Sequence, residues 1–130
     1  MAELNVGDQV PALNVTPDKY LPHRYAGASG DFNPIHIDRE FANQVGLPSN
    51  ILHGLYSMGL VARANAALAG GDPRALKRLS VQFRGMGMPE QEIVVSGTIK
   101  SVDGDRVVVD TVATQGETAI IKNAEAEVEL

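Results

Sequence analysis

The sequence predicts an α+β domain in which a curved antiparallel sheet of about five strands wraps around one long central helix. Three observations carry this. Residues 77–130 alternate apolar and polar with period two, the pattern of half-buried strands. Residues 54–69 form a long apolar run at helical spacing, closed by Gly70-Gly71. Residues 1–50 show neither period and are punctuated by Pro11, Pro17, Pro22, Pro34 and Pro48, each of which removes a backbone donor and restricts its predecessor. Strands joined in sequence by short turns pair antiparallel, and one helix packed on them makes a two-layer domain.

Val10, Leu13 and Val15 predict a short first strand. Thr16-Pro17 has the cap-then-proline pattern of a helix start, and Pro22 is expected to hold that helix to about one turn. A better short helix is expected from Asp38 as N-cap, with Phe41 and Val45 one turn apart and Gly46 as its stop. In the long helix Leu55, Met58, Ala62 and Ala66 recur at helical spacing. Leu60, Val61, Ala64, Ala67 and Leu68 leave little of its surface polar, so it is expected to be enclosed on several sides. At about 1.5 Å per residue it would run for about 24 Å. Leu79, Val81 and Phe83 then oppose Ser80, Gln82 and Arg84, and a long strand covers about Glu92 to Val102. Asp103-Gly104 signals a hairpin, Val107, Val109, Thr111 and Ala113 continue the meander, and Gln115-Gly116 turns again. In the last strand Ala124, Ala126, Val128 and Leu130 alternate with Glu125, Glu127 and Glu129. Such a small assembly leaves apolar surface over, on either the Val107/Val109 or the Val108/Val112 face, and a dimer is expected.

A chain of 130 residues without repeat, low-complexity tract or linker fits a single domain, 1–130. Hydrophobic residues make up 44%, aromatics only 5%, and there is no Trp, so the core must be aliphatic. The net charge is -5 and no basic run exceeds Lys77-Arg78; a nucleic-acid partner, which needs a basic face, is not expected. The absence of Cys excludes disulfides, thiolate catalysis and Cys-based zinc sites. Met1-Ala2-Glu3-Leu4-Asn5 has no basic or apolar region of the secretory kind. The most apolar stretch, Ile51 to Ala69, carries His53, Arg63 and Asn65, which fits a buried helix and not a membrane span. The cytoplasm is the default expectation.

Chemistry concentrates between Tyr25 and Asp38. Asp31 and His36 are five residues apart. That spacing separates them by about 140° on a helix and puts them on opposite faces of a strand, so they converge only on a bent backbone. Gly30 permits a bend, and Pro34 holds Asn33 extended. An acid and an imidazole brought to one point suit proton transfer, because burial and mutual charge tune both. The same stretch is also ordinary turn chemistry. A second constellation, His53-Gly54, stands at the start of the long helix, where the first N–H groups lack acceptors and feel the positive end of the helix dipole. A plain glycine cap reads the same way.

Ser29-Gly30-Asp31-Phe32-Asn33-Pro34-Ile35-His36-Ile37-Asp38, followed by Ile51-Leu52-His53-Gly54, resembles the MaoC-like family of hotdog-fold (R)-specific enoyl-CoA hydratases and 3-hydroxyacyl-ACP dehydratases. Tyr25-Ala26-Gly27, Val81-Gln82-Phe83-Arg84 and the closing strands extend the likeness over nearly the whole chain. The resemblance implies a hotdog fold and reversible hydration of trans-2-enoyl thioesters of CoA or ACP to the (3R)-hydroxy product, with no cofactor and no metal. It implies that Asp31 and His36 hold a water and exchange protons, that Asn33 supports the loop, and that the Gly54 N–H binds the thioester oxygen as it gains negative charge. His53 joins the substrate-side residues, or fixes the helix start. Gly59 stands where many hydratases of the family carry a Ser that bonds the catalytic Asp, and Ser57, two residues earlier, points elsewhere. Some dehydratase subunits resembling this variant work with a different partner, so the resemblance is compatible with a homodimer or with a heterodimer of related subunits.

The remaining candidates read more simply. His23 follows Pro22 in a polar loop and is expected to be exposed. Met58, Met86 and Met88 are expected as core filler, and at least two of Lys77, Arg78 and Arg84 as a solvated strand edge, the alternative being contacts to a CoA or carrier-protein phosphate. No close ligand pair on a regular element predicts a metal site. A hotdog thioesterase with its carboxylate on the central helix does not fit, since no carboxylate occurs from Leu55 to Gly71. A non-catalytic acyl-binding subunit leaves the Asp31/His36 pair without a purpose.

Overall fold

A computed structural model describes residues 3–130; Met1 and Ala2, which open the segment inspected for a secretory signal, lie outside the described residues. The elements follow as β1 (Gln9–Val15), α1 (Leu21–Ser29), α2 (Pro34–Ile37), α3 (Arg39–Gln44), α4 (Gly54–Ala66), β2 (Leu76–Phe83), β3 (Ile93–Asp103), β4 (Arg106–Gln115) and β5 (Thr118–Glu129). The strands form one five-stranded sheet in the order β1-β3-β4-β5-β2, with every pairing antiparallel. This is the α+β architecture expected from the alternation, with α4 crossing all five strands.

The hairpins form where the turn residues stand. Asp103 pairs with Arg106 across Gly104-Asp105, and Gln115 pairs with Thr118 across Gly116-Glu117. Val107, Val109, Thr111 and Ala113 on β4, and Ala124, Ala126 and Val128 on β5, all face inward and are buried. Of the two valine faces, Val107/Val109 meets the core, while Val108 and Val112 are half-buried on the other side. The core beneath α4 is aliphatic, as the composition requires: Ile93, Val95, Ile120, Ile121 and Ala124 close around Leu60, Val61 and Ala64.

Several local expectations are corrected. Pro22 does not stop a helix after one turn. It lies in the first turn of the nine-residue α1, where its missing N–H costs nothing; Thr16-Pro17 starts no helix. Asp38 does cap α3, its carboxylate accepting the Phe41 N–H, but Phe41 and Val45 are exposed and Ala42 is the buried residue. On α4 the buried face is Ser57, Leu60, Val61, Ala64, Asn65 and Ala66, whereas Leu55 is 65% exposed. The polar Ser57 and Asn65 disguised that face. Asn65 is accommodated because its amide donates to Val61 O and Thr111 Oγ1. The helix is therefore covered on the sheet side, and its Leu55/Gly59 face is open in the single chain. Met86 is exposed rather than core filler. Among the described residues, no helix is long and apolar enough to cross a membrane.

Candidate active site

The bend that the sequence requires is made at Gly30. It ends α1 at φ 81°, in the left-handed region that a side chain would strain. Three short-range bonds then shape the next residues. The Asp31 N–H donates to Ser29 Oγ (3.1 Å), the Asn33 N–H to Asp31 Oδ1 (3.2 Å), and the Ile35 N–H to Asn33 Oδ1 (3.2 Å). Asn33 is thus the N-cap of α2, with Pro34 at its first position. That single turn brings His36 back toward Asp31.

His36 is buried, and its ring is held from behind. Nδ1 lies 2.8 Å from the Ile51 carbonyl; a carbonyl only accepts, so Nδ1 carries the proton and donates. Nε2 is left with its lone pair facing Asp31 Oδ2 at 3.8 Å. That gap exceeds hydrogen-bond length and leaves room for a third atom bonded to both. Asn50 Nδ2 donates to the His36 carbonyl at 2.9 Å, and the Ile51 N–H donates to the Ile35 carbonyl at 2.9 Å. Residues 50–53 therefore run as a brace along α2. Asn50 and the Ile51 carbonyl are supports of His36 that the sequence does not announce, because any residue brings a carbonyl and pairing 14 or 15 residues away has no periodic signal.

His53 closes the arrangement. Its ring is 2% exposed, stacks on His36 with centroids 3.9 Å apart and planes at 21°, and its Nε2 donates to the Asp31 carbonyl at 3.0 Å. Tyr25 packs on the same ring at 4.7 Å. Tyr56, edge-on to Tyr25, has its phenol pushed above the usual range mainly by burial, so it is uncharged at neutral pH. The next residue, Gly54, begins α4, so its N–H has no acceptor within the helix. Space there is tight: a Cβ on Gly54 would lie 3.2 Å from the Phe83 ring. A cavity of about 300 Å³ opens over this point, lined by Tyr25, Ser29, Asp31, His53, Gly54, Leu55 and Phe83. A larger cleft of about 670 Å³, lined by Lys19, His23, Arg39 and Asn50 among others, contains neither Asp31 nor Gly54.

Of the candidates from sequence, Asp31, Asn33, His36, His53 and Gly54 are brought together. Gly59 is not. Five residues beyond Gly54 it has turned about 140° around the helix, and it lines a separate groove with Ala62, Arg63, Ala66 and Leu76. His23 is exposed as expected, but it sits on α1, not in a loop, and its Nε2 donates to the Ile37 carbonyl at 3.0 Å. Lys77, Arg78 and Arg84 are exposed on or just beyond the edge strand. The fold also assembles what no spacing foretold: Asp31, His36 and His53 each offer a ligand atom, all within 4.8 Å of one another. Each imidazole donates one N–H to a carbonyl, which leaves its other nitrogen with a lone pair able to take a proton or face a cation.

A family model described as the MaoC like domain matches residues 5–121. The chain is 35% identical over 108 residues to the fatty acid synthase beta subunit aflB of Emericella nidulans, covering 81% of this chain and 5% of that protein. It is 33% identical over 111 residues to enoyl-CoA hydratase ChsH3 of Mycobacterium tuberculosis, covering 85% of this chain and 37% of that one. The chain thus spans well under half the length of these curated relatives. Among solved structures, one described as a MaoC-like dehydratase superposes with a TM-score of 0.92 at 33% identity, over 98% of this chain and 41% of that chain.

Proposed function

The chain belongs to the MaoC like domain family, and on that premise we propose that it adds water reversibly to trans-2-enoyl thioesters, giving (3R)-3-hydroxyacyl thioesters. The observation that carries this is the opposed pair Asp31 Oδ2 and His36 Nε2, 3.8 Å apart, beside a helix-opening N–H at Gly54. The fold and the enoyl-CoA hydratase named among the relatives agree with it.

In the hydration direction a water held between Asp31 and His36 attacks C3. The C2–C3 π electrons shift toward the thioester carbonyl, whose oxygen gains negative charge and accepts the Gly54 N–H, strengthened by the α4 dipole. The acid–base pair removes one proton from the water and returns one to C2, so the water is added in full. The Asn33 side chain keeps the turn that aims the pair. The substrate is an acyl-CoA or acyl-ACP; the residues present need neither cofactor nor metal for these steps. Residues 1–130 act as one MaoC-like hotdog domain.

Purified protein with crotonyl-CoA and a longer 2-enoyl-CoA is expected to lose enoyl absorbance and yield the (3R) product, unaffected by EDTA. A (3S) product, or turnover abolished by EDTA, would sink the proposal.

A dimer is the working unit of this reading. Phe83 (52% exposed) and Leu55 (65%) both line the cavity, so a second chain would wall off what one chain leaves wet. Light scattering at micromolar concentration should give twice the chain mass. A monomeric mass with full activity contradicts it, and turnover that appears only with a second, different chain assigns the partner-subunit alternative.

A further inference from the structure

Each member of the Asp31/His36 pair is held by several bonds, and the His53 side chain touches both. It donates Nε2–H to the Asp31 carbonyl at 3.0 Å and lies face to face with the His36 ring at 3.9 Å. Its own lining role in the cavity first suggests a substrate contact. The atoms speak against that. The ring is 2% exposed, its donor nitrogen is already committed, and the other nitrogen, Nδ1, is buried without any hydrogen-bond partner. A buried acceptor left unpaired is costly and rare, and a leucine or phenylalanine at this helix start would avoid it. The His53 side chain does not cap the helix either, so a capping role does not explain the residue.

We infer that His53 is a positioning residue for the proposed hydration, holding Asp31 and His36 in register through one hydrogen bond and one ring stack, and that it does so as the neutral Nε2–H tautomer. The tautomer follows from the partners: a carbonyl at Nε2 demands a donor, and among the described residues no acceptor lies within hydrogen-bond reach of Nδ1. Neutrality matters because His36 becomes positively charged whenever it takes the water's proton. A neutral aromatic face at 3.9 Å favours that cation, whereas a second cation there would oppose it. The hydrogen bond acts on the other partner. The Asp31 N–H donates to Ser29 Oγ and Oδ1 accepts the Asn33 N–H, which leaves Oδ2 to face His36, and the His53 bond fixes the backbone that carries this carboxylate.

This inference rests on the hydratase reading, and two variants separate the two contacts. His53→Gln can donate from its amide but has no ring; His53→Phe keeps a ring but has no donor. With crotonyl-CoA, His53→Ala should lower kcat by about 10²-fold, the scale of a misplaced acid–base pair, while KM changes by less than about threefold. His53→Gln and His53→Phe should each recover part of the loss, by about 3- to 10-fold. A loss carried by KM instead would make His53 a substrate contact and overturn the inference. If the wild-type protein hydrates nothing, the hydratase reading fails, and NMR still decides the placement of His53. Nitrogen-15 shifts should report a protonated Nε2 and a bare Nδ1, and His53→Phe should shift the Asp31, Phe32 and Asn33 amides that His53→Gln leaves near their wild-type positions. A protonated Nδ1, or loop amides unmoved by His53→Phe, overturns it.

Discussion

Asp31→Asn is expected to lower kcat by about 10² or more, and His36→Ala by a similar factor, the scale of a positioned acid or base. The reason is geometric. Asp31 Oδ1 is occupied by the Asn33 N–H at 3.2 Å, so Oδ2 is the oxygen left to face His36, and an amide there could not serve as the acid–base group of the proposed reaction. The His36 Nε2 lone pair exists because Nδ1–H is given to Ile51. The double variant should lose little more than either single one, because a water held by two groups is lost when one goes. Steady-state kinetics on folded variants checks this. Near-normal turnover in either single variant, or losses that multiply, would remove the pair from the mechanism.

Gly54→Pro should cost about 10²–10³ in kcat, the usual effect of removing one oxyanion donor. The backbone can accept the change. Gly54 is the first residue of α4, where Pro is well tolerated, and His53 already has φ -63° and ψ 134°, the extended conformation that a following Pro demands. Gly54→Ala is the control. Both variants place a Cβ 3.2 Å from the Phe83 ring, which is half exposed and can move, but only Pro removes the N–H. Ala should therefore raise KM with a modest loss of kcat, and Pro should lose kcat well beyond that. Circular dichroism establishes that both fold. If folded Gly54→Pro turned over like Gly54→Ala, the thioester oxygen would be held elsewhere.

How much of this was legible before the fold was known differs by the range of the interaction. The sheet was legible because its information is local: Val107, Val109, Thr111 and Ala113 alternate, and Asp103-Gly104 and Gln115-Gly116 mark the turns where pairing reverses. The convergence of Asp31 and His36 was legible for a similar reason, since Gly30 and Pro34 act on their immediate neighbours. The inward face of α4 was not. Leu55 reads as core and is 65% exposed, while Ser57 and Asn65 are buried, because a helix apolar on most sides carries no directional signal. Pro22 misled because a proline closes a helix interior but opens a first turn, and position relative to the start is what the sequence leaves open. The brace at 50–53 and the two ties of His53 were beyond reach, since they join residues 14 to 22 apart, through carbonyls that every residue carries and one ring stack.

That brace also bears on when the protein becomes competent during folding. The turn from Ser29 to Ile35 is made of contacts two residues long, and it can form in a chain that has folded nothing else. It does not by itself fix the two rings. His36 is held by Ile51 and stacked by His53, and both stand just before α4, whose Leu60, Val61 and Ala64 pack into the core against the sheet. Closing these longer loops carries an entropy cost that the local turn does not share. On the proposed reading, a partly folded chain therefore holds the Asp31 turn without a settled His36 ring, and the pair is expected to come into register together with the core.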